Sequence, residues 1–224
     1  MRVELLTEDR SGGVVLAALT ESIISSVIDD YSIEIRPSRG CGQWPENPYA
    51  QPEPFASGLL DLLPAKLRAY DKVYAGTETI LIICMDSDDH DQSELFSRLR
   101  NTCRRFAPHI RTIIALCVEE IESWLLGDEK AILKAYPDAD LAALREYDQD
   151  SICGTWEVLC HVVMKERAPR LIRVGYPAIG QYKKTWAEDI SRYMRPENNV
   201  SPSFVRFYQS LLRAITIAKE DQAI

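Results

Sequence analysis

Two runs constrain this chain more than any other feature: TILIICM at 79–85 and TIIALCV at 112–118, both apolar nearly throughout. Their length suits strands, and unbroken hydrophobicity is what a strand shows when both faces of its sheet are covered. Residues 91–105 between them have helical spacing. Upstream, RVELLT (2–7) predicts a short strand. VVLAALTESIISSVID then puts Leu16, Leu19, Ile23 and Val27 on one helical face, with Ser11 and two glycines as start signals. YSIEIRP (31–37) alternates apolar and polar, as a half-buried strand does. Strands alternating with helices predict an α/β fold, a mostly parallel sheet flanked by helices.

From Ser38 to Pro54 the chain is rich in Gly, Pro and Asn and has no periodicity, a length at which loops are commonly functional or mobile. Residues 55–70 have helical spacing that Pro64 must kink or restart. Beyond Glu119 the strand signals fade. EEIESWLLGDEKAILKAYP predicts two short helices stopped at Pro137, and the remainder is helical with loops at GYPAIGQY (175–182) and RPENNVSPS (195–203). In the last helix Phe204, Phe207, Leu211 and Ile215 form a stripe suited to core packing. The expected organisation is an α/β core over residues 1–136 and a helical C-terminal region over 137–224, packed on the core and closing over its acidic edge.

The 224 residues carry 34 acids and 26 bases, a net charge of −8, which argues against a stand-alone nucleic-acid binder. The charge is uneven, however: Arg98 to Arg111 holds five arginines and no acid. No apolar run approaches the ~18 residues of a membrane span, and MRVELLTEDR lacks a signal-peptide pattern, so a cytoplasmic protein without membrane contact is expected. The six cysteines form no CxxC pair and have no zinc spacing; Cys84 and Cys117, inside strands, are expected as small buried thiols.

Acidic clusters follow three of the predicted strands: Glu8 and Asp9; Asp86, Asp88, Asp89 and Asp91; and Glu119, Glu120 and Glu122. In an open parallel sheet, ligands bind beyond the carboxyl ends of the strands, so these distant residues are expected to share one edge. Converging carboxylates repel unless a cation lies between them, and hard divalent ions want oxygen ligands. Glu8, Asp86 and Asp88 are therefore the expected magnesium ligands. Asp89 and Asp91 precede a helix, where the dipole favours acids without further function. A helix starting near Val118 would put Glu119 and Glu122 on one face, able to hold a second ion or position a water. Trp124 is expected in the core. His90 lies inside the DSDDHD loop, and His109 and His161 have no partner at an informative spacing.

At TEDRSGG, MDSDD and EEIESWLLGD the chain resembles the TOPRIM-like proteins, related to the nuclease domain of the OLD family and to the topoisomerase–primase module. It is especially similar to a bacterial family of unknown function with a TOPRIM-like (Rossmann-like) fold, often encoded beside AAA or SMC-like ATPases. The resemblance implies that Glu8 matches the glutamate after the first strand, and that Asp86 and Asp88 match the DxD that together with it holds Mg2+ or Mn2+. Glu119, Glu120, Glu122, Trp124 and Asp128 match EExExWLLGD, and YKKTWAEDI and NNVSPSF extend the match towards the C-terminus. The usual glutamate–glycine turn is absent: Asp9 follows Glu8, leaving Glu8 open as ligand or general base.

These implications add up to an expected metal-dependent nuclease, or nuclease-like subunit, cutting DNA or RNA with an ATPase partner in an antiphage defence or mobile-element system. Glu8, Glu119, Glu122 and Lys183 are the expected catalytic residues. Arg98, Arg104, Arg105, Lys183 and Lys184 are expected to contact nucleic acid, with solvated surface as the plain alternative for each. Homo-oligomerisation is left open. Two other readings stay open as well: a non-catalytic regulatory subunit, and another metal-dependent phosphoryl- or glycosyl-transfer enzyme.

Overall fold

The computed structural model describes residues 1–175 and 177–222. Among these, four strands form one all-parallel sheet: β1 (Arg2–Thr7), β2 (Ser32–Pro37), β3 (Thr79–Asp86) and β4 (Arg111–Cys117), in the spatial order β2-β1-β3-β4. Helices α1 (Arg10–Ile24), α2 (Leu59–Tyr74) and α3 (Gln92–Phe106) make the crossovers. The C-terminal helices are α4 (Glu122–Leu126), α5 (Glu129–Ala135), α6 (Leu141–Arg145), α7 (Thr155–Met164), α8 (Ala168–Val174), α9 (Ala178–Ser191) and α10 (Pro202–Gln222). This is the α/β architecture the alternating pattern predicts.

Two apolar layers sandwich the sheet. On one face Leu6, Leu81, Ile83 and Met85 meet α2 and α3. On the other Val3, Leu5, Ile80, Ile82 and Ala115 meet α1 and the C-terminal helices, so one core runs through both halves of the chain. β3 lies inside the sheet, which is why seven of its eight residues are buried. Trp124 is wholly buried; its ring stacks on Phe207 at 5.3 Å and its indole N–H donates to Ser203 Oγ at 2.9 Å. Phe204, Phe207, Leu211 and Ile215 of α10 are core residues too.

Several local expectations change. β4 is an edge strand, so Ile114 and Leu116 are only half-buried although its sequence matches a fully covered strand. β2, at the other edge, is mostly exposed. The first helix starts at Arg10 rather than at the glycines, because Asp9 caps it by accepting the Gly12 N–H at 2.7 Å. Gly13 instead serves close packing: a Cβ there would lie 2.9 Å from Ile35 Cγ2. The 38–54 loop is tied down. Asp61 accepts the N–H groups of Gln43 and Gly58, and the Arg68 guanidinium donates to the carbonyls of Pro48 and Ala50. Of the loop expected at 175–182, Ala178 onwards is already helix α9, and Tyr176 lies outside the described residues.

Candidate metal centre

Strand register sets the rim. Thr7 pairs with Cys84 and Asp86 with Cys117, so Glu8 leaves β1, Asp86 ends β3, and Glu119 to Glu122 follow β4 at the same carboxyl edge. The β3 exit is a fixed turn. Ser87 donates its N–H to the Cys117 carbonyl and accepts the Glu119 N–H on its hydroxyl, while Asp88, at φ 43°, donates to the Glu119 carbonyl. Asp91 caps α3 by accepting the Glu94 N–H, the helix-start role its position predicts.

Electrostatics link these carboxyls. Glu8 is pushed up to about 7, first by burial and then by the charge of Asp88, although the Asp86 backbone and the Cys41 thiol offer it hydrogen bonds. Asp86 is raised well above the usual carboxylate range by burial, with Glu8 and Glu122 adding repulsion. Glu122 is raised to about 7 by burial, against the attraction of Lys183. Lys183, delivered by α9, stands 3.1 Å from Glu120 Oε1 and 3.3 Å from Glu122 Oε1. One buried oxygen on each of Glu8, Glu120 and Glu122 has no hydrogen-bond partner. Buried carboxylate oxygens without partners are costly, and a cation is a natural remedy.

Glu119 is placed differently from the expectation. It sits at φ 57° rather than in a helix, which begins only at Glu122, so the two do not share a helical face. Its carboxylate accepts the N–H groups of Cys153, Gly154 and Thr155 at 3.2, 2.8 and 2.9 Å, and the Thr155 hydroxyl. Burial pushes this carboxyl up, but the four donors outweigh it and hold it below the usual range. The Glu119 carboxylate thus anchors the start of α7.

Among the basic residues, Arg98 lies over the Trp44 ring at 4.6 Å, and Arg105 lies over Tyr49 while donating to its hydroxyl. Both brace the 38–54 loop against α3. Arg104 is exposed, and Lys184 faces Glu188 one turn along α9. The sequence reading missed Cys41, whose thiol burial and the neighbouring Glu8 push up to about 12; an aperiodic loop gives no cue that it will reach the rim.

Among the described residues, no three His, Cys, Asp or Glu side chains are gathered closely enough to hold a metal ion as they stand. The hard-oxygen donors and the orphaned oxygens of Glu8, Glu120 and Glu122 fit magnesium chemistry, in which one or two carboxylates are completed by waters and substrate phosphate. The chain matches no protein-family model, no curated protein and no solved structure. No described helix is long and apolar enough to cross a membrane.

The rim predicts a pH effect. Glu8 and Glu122 are raised from an ordinary 4.5 to about 7, so their contribution to stability is full below 4.5 and is lost as pH rises through 7. Glu8→Gln is expected to stabilise the metal-free protein by about 1–2 kcal/mol at pH 8, a figure discounted for partial exposure, and to do little at pH 4.5. Thermal melts at both pH values check this.

Proposed function

We propose that the chain is a Mg2+- or Mn2+-dependent phosphodiesterase acting on DNA or RNA, a TOPRIM-like nuclease or nuclease-like subunit. The observation that carries this reading is the convergence of Glu8 and Asp86 at one strand-end rim, beside buried carboxylate oxygens that lack partners. Glu8, Asp86 and Asp88 would hold the ion, which would polarise the scissile phosphate and make a bound water nucleophilic near neutral pH. Glu8 would serve either as one of these ligands or as the general base that takes a proton from the attacking water. Lys183 orders Glu120 and Glu122 and offers an ammonium to phosphate charge. The cytoplasm, and an AAA or SMC-like ATPase supplying much of the nucleic-acid grip in a defence or mobile-element system, are part of the same proposal; they rest on the resemblance and on the net acidity.

The test is cleavage of labelled single- and double-stranded DNA and RNA in Mg2+ and Mn2+, with EDTA as control, alongside thermal melts with each ion. Metal-dependent cleavage and a metal-induced rise in melting temperature that Glu8→Gln removes are expected. A second reading, a non-catalytic subunit, is favoured by one observation: Lys183 already supplies a cation to Glu120 and Glu122. Turnover of small phosphoesters or sugar nucleotides without nucleic-acid cleavage would instead indicate another transfer enzyme.

A further inference from the structure

β4 hydrogen-bonds to a neighbouring strand on one side only. The Ser87 N–H donates to the Cys117 carbonyl, so in this parallel ladder Ile113, Ala115 and Cys117 turn their backbone groups towards β3. Thr112, Ile114 and Leu116 therefore turn theirs outward, and among the described residues none of these groups has a backbone partner beyond the ladder. Unpaired groups of this kind are a template for another strand.

The space beside them is already shaped. A groove of about 540 Å³ runs along the β4 edge, floored by Ile114 and Leu116 and walled by Phe96 of α3 on one side and Arg206 and Arg213 of α10 on the other. Phe96 is 39% exposed. In a chain of net charge −8, no described acid lines the groove, and both arginines are exposed without a salt bridge among the described residues. An added strand would direct alternate side chains to the two walls, apolar ones towards Phe96 and acidic ones towards the arginines.

We propose that this groove docks an extended segment of a partner protein, alternating apolar and acidic residues, as a fifth strand on β4. It is independent of the rim chemistry. Mutual repulsion between copies of so acidic a chain disfavours a second copy as the occupant.

The experiment uses the full chain and labelled eight-residue peptides that alternate valine with glutamate, alternate valine with lysine, or hold valine and glutamate in blocks. Fluorescence anisotropy is expected to show saturable binding of the alternating glutamate peptide, roughly tenfold or more tighter than the other two. Arg206→Glu with Arg213→Glu should transfer the preference to the lysine peptide. Ile114→Pro removes an outward N–H but no ladder bond, a position where an edge strand tolerates proline, and should abolish binding. Should that variant fail to fold, amide exchange in the wild-type protein decides: Ile114 and Leu116 should slow when the peptide is added. Absence of binding, binding indifferent to these substitutions, or unchanged exchange would overturn the proposal. So would a concentration-dependent dimer broken by the same substitutions, which would give the groove to a second copy.

Discussion

If the proposed nuclease reading holds, Asp86→Asn is expected to lower metal-dependent cleavage by about a thousandfold, the loss of roughly 4 kcal/mol of transition-state stabilisation when one of the proposed ion ligands goes. The same change removes a carboxyl whose charge is opposed by burial, by Glu8 and by Glu122. The variant should therefore fold at least as stably as wild type at pH 8. Measured together, initial cleavage rates and melting temperatures separate lost chemistry from lost structure. Cellular activity that survives in a folded Asp86→Asn protein would contradict the nuclease reading and favour the non-catalytic one.

Glu119→Ala should do the opposite, destabilising by about 2–4 kcal/mol, because three backbone N–H groups and a hydroxyl at residues 153–155 lose a charged acceptor. The pH sign also reverses relative to Glu8. Since Glu119 is held below its ordinary 4.5, its contribution is full above that value and is lost as pH falls through the depressed folded value. The gap between wild type and Glu119→Ala in denaturant titrations should thus be wide at pH 7 and narrow in acid. A gap that stays constant down to strongly acidic pH would show that the charge of Glu119 is not what anchors α7.

What could be read from the sequence was what depends on near neighbours. The continuous apolar run at 79–85 carried β3 and its place inside the sheet, and Asp91 announced itself as a cap because the donor it satisfies is three residues away. The strand ends also put Glu8, Asp86 and the Glu119–Glu122 cluster on one edge. Failures came where a distant partner decides. Ile114 and Leu116 have the composition of covered residues, yet whether they are covered depends on a fifth strand that the described chain does not supply. Glu119 adopts a left-handed backbone conformation and points at Thr155, 36 residues on, which no helical wheel can anticipate. Lys183, just past the stretch expected as a loop, could equally have been a solvated surface lysine; it rides on α9, packed against Glu120 and Glu122.

That dependence of the rim on α9 has a practical corollary. A truncation ending at residue 136 would strip Glu120 and Glu122 of their ammonium and uncover the Leu16, Leu19 and Ile23 side of α1. Such a fragment would be sticky and would lack the ammonium that offsets part of the rim's negative charge. Because one core draws on both parts of the chain, the full chain is the unit to express and assay.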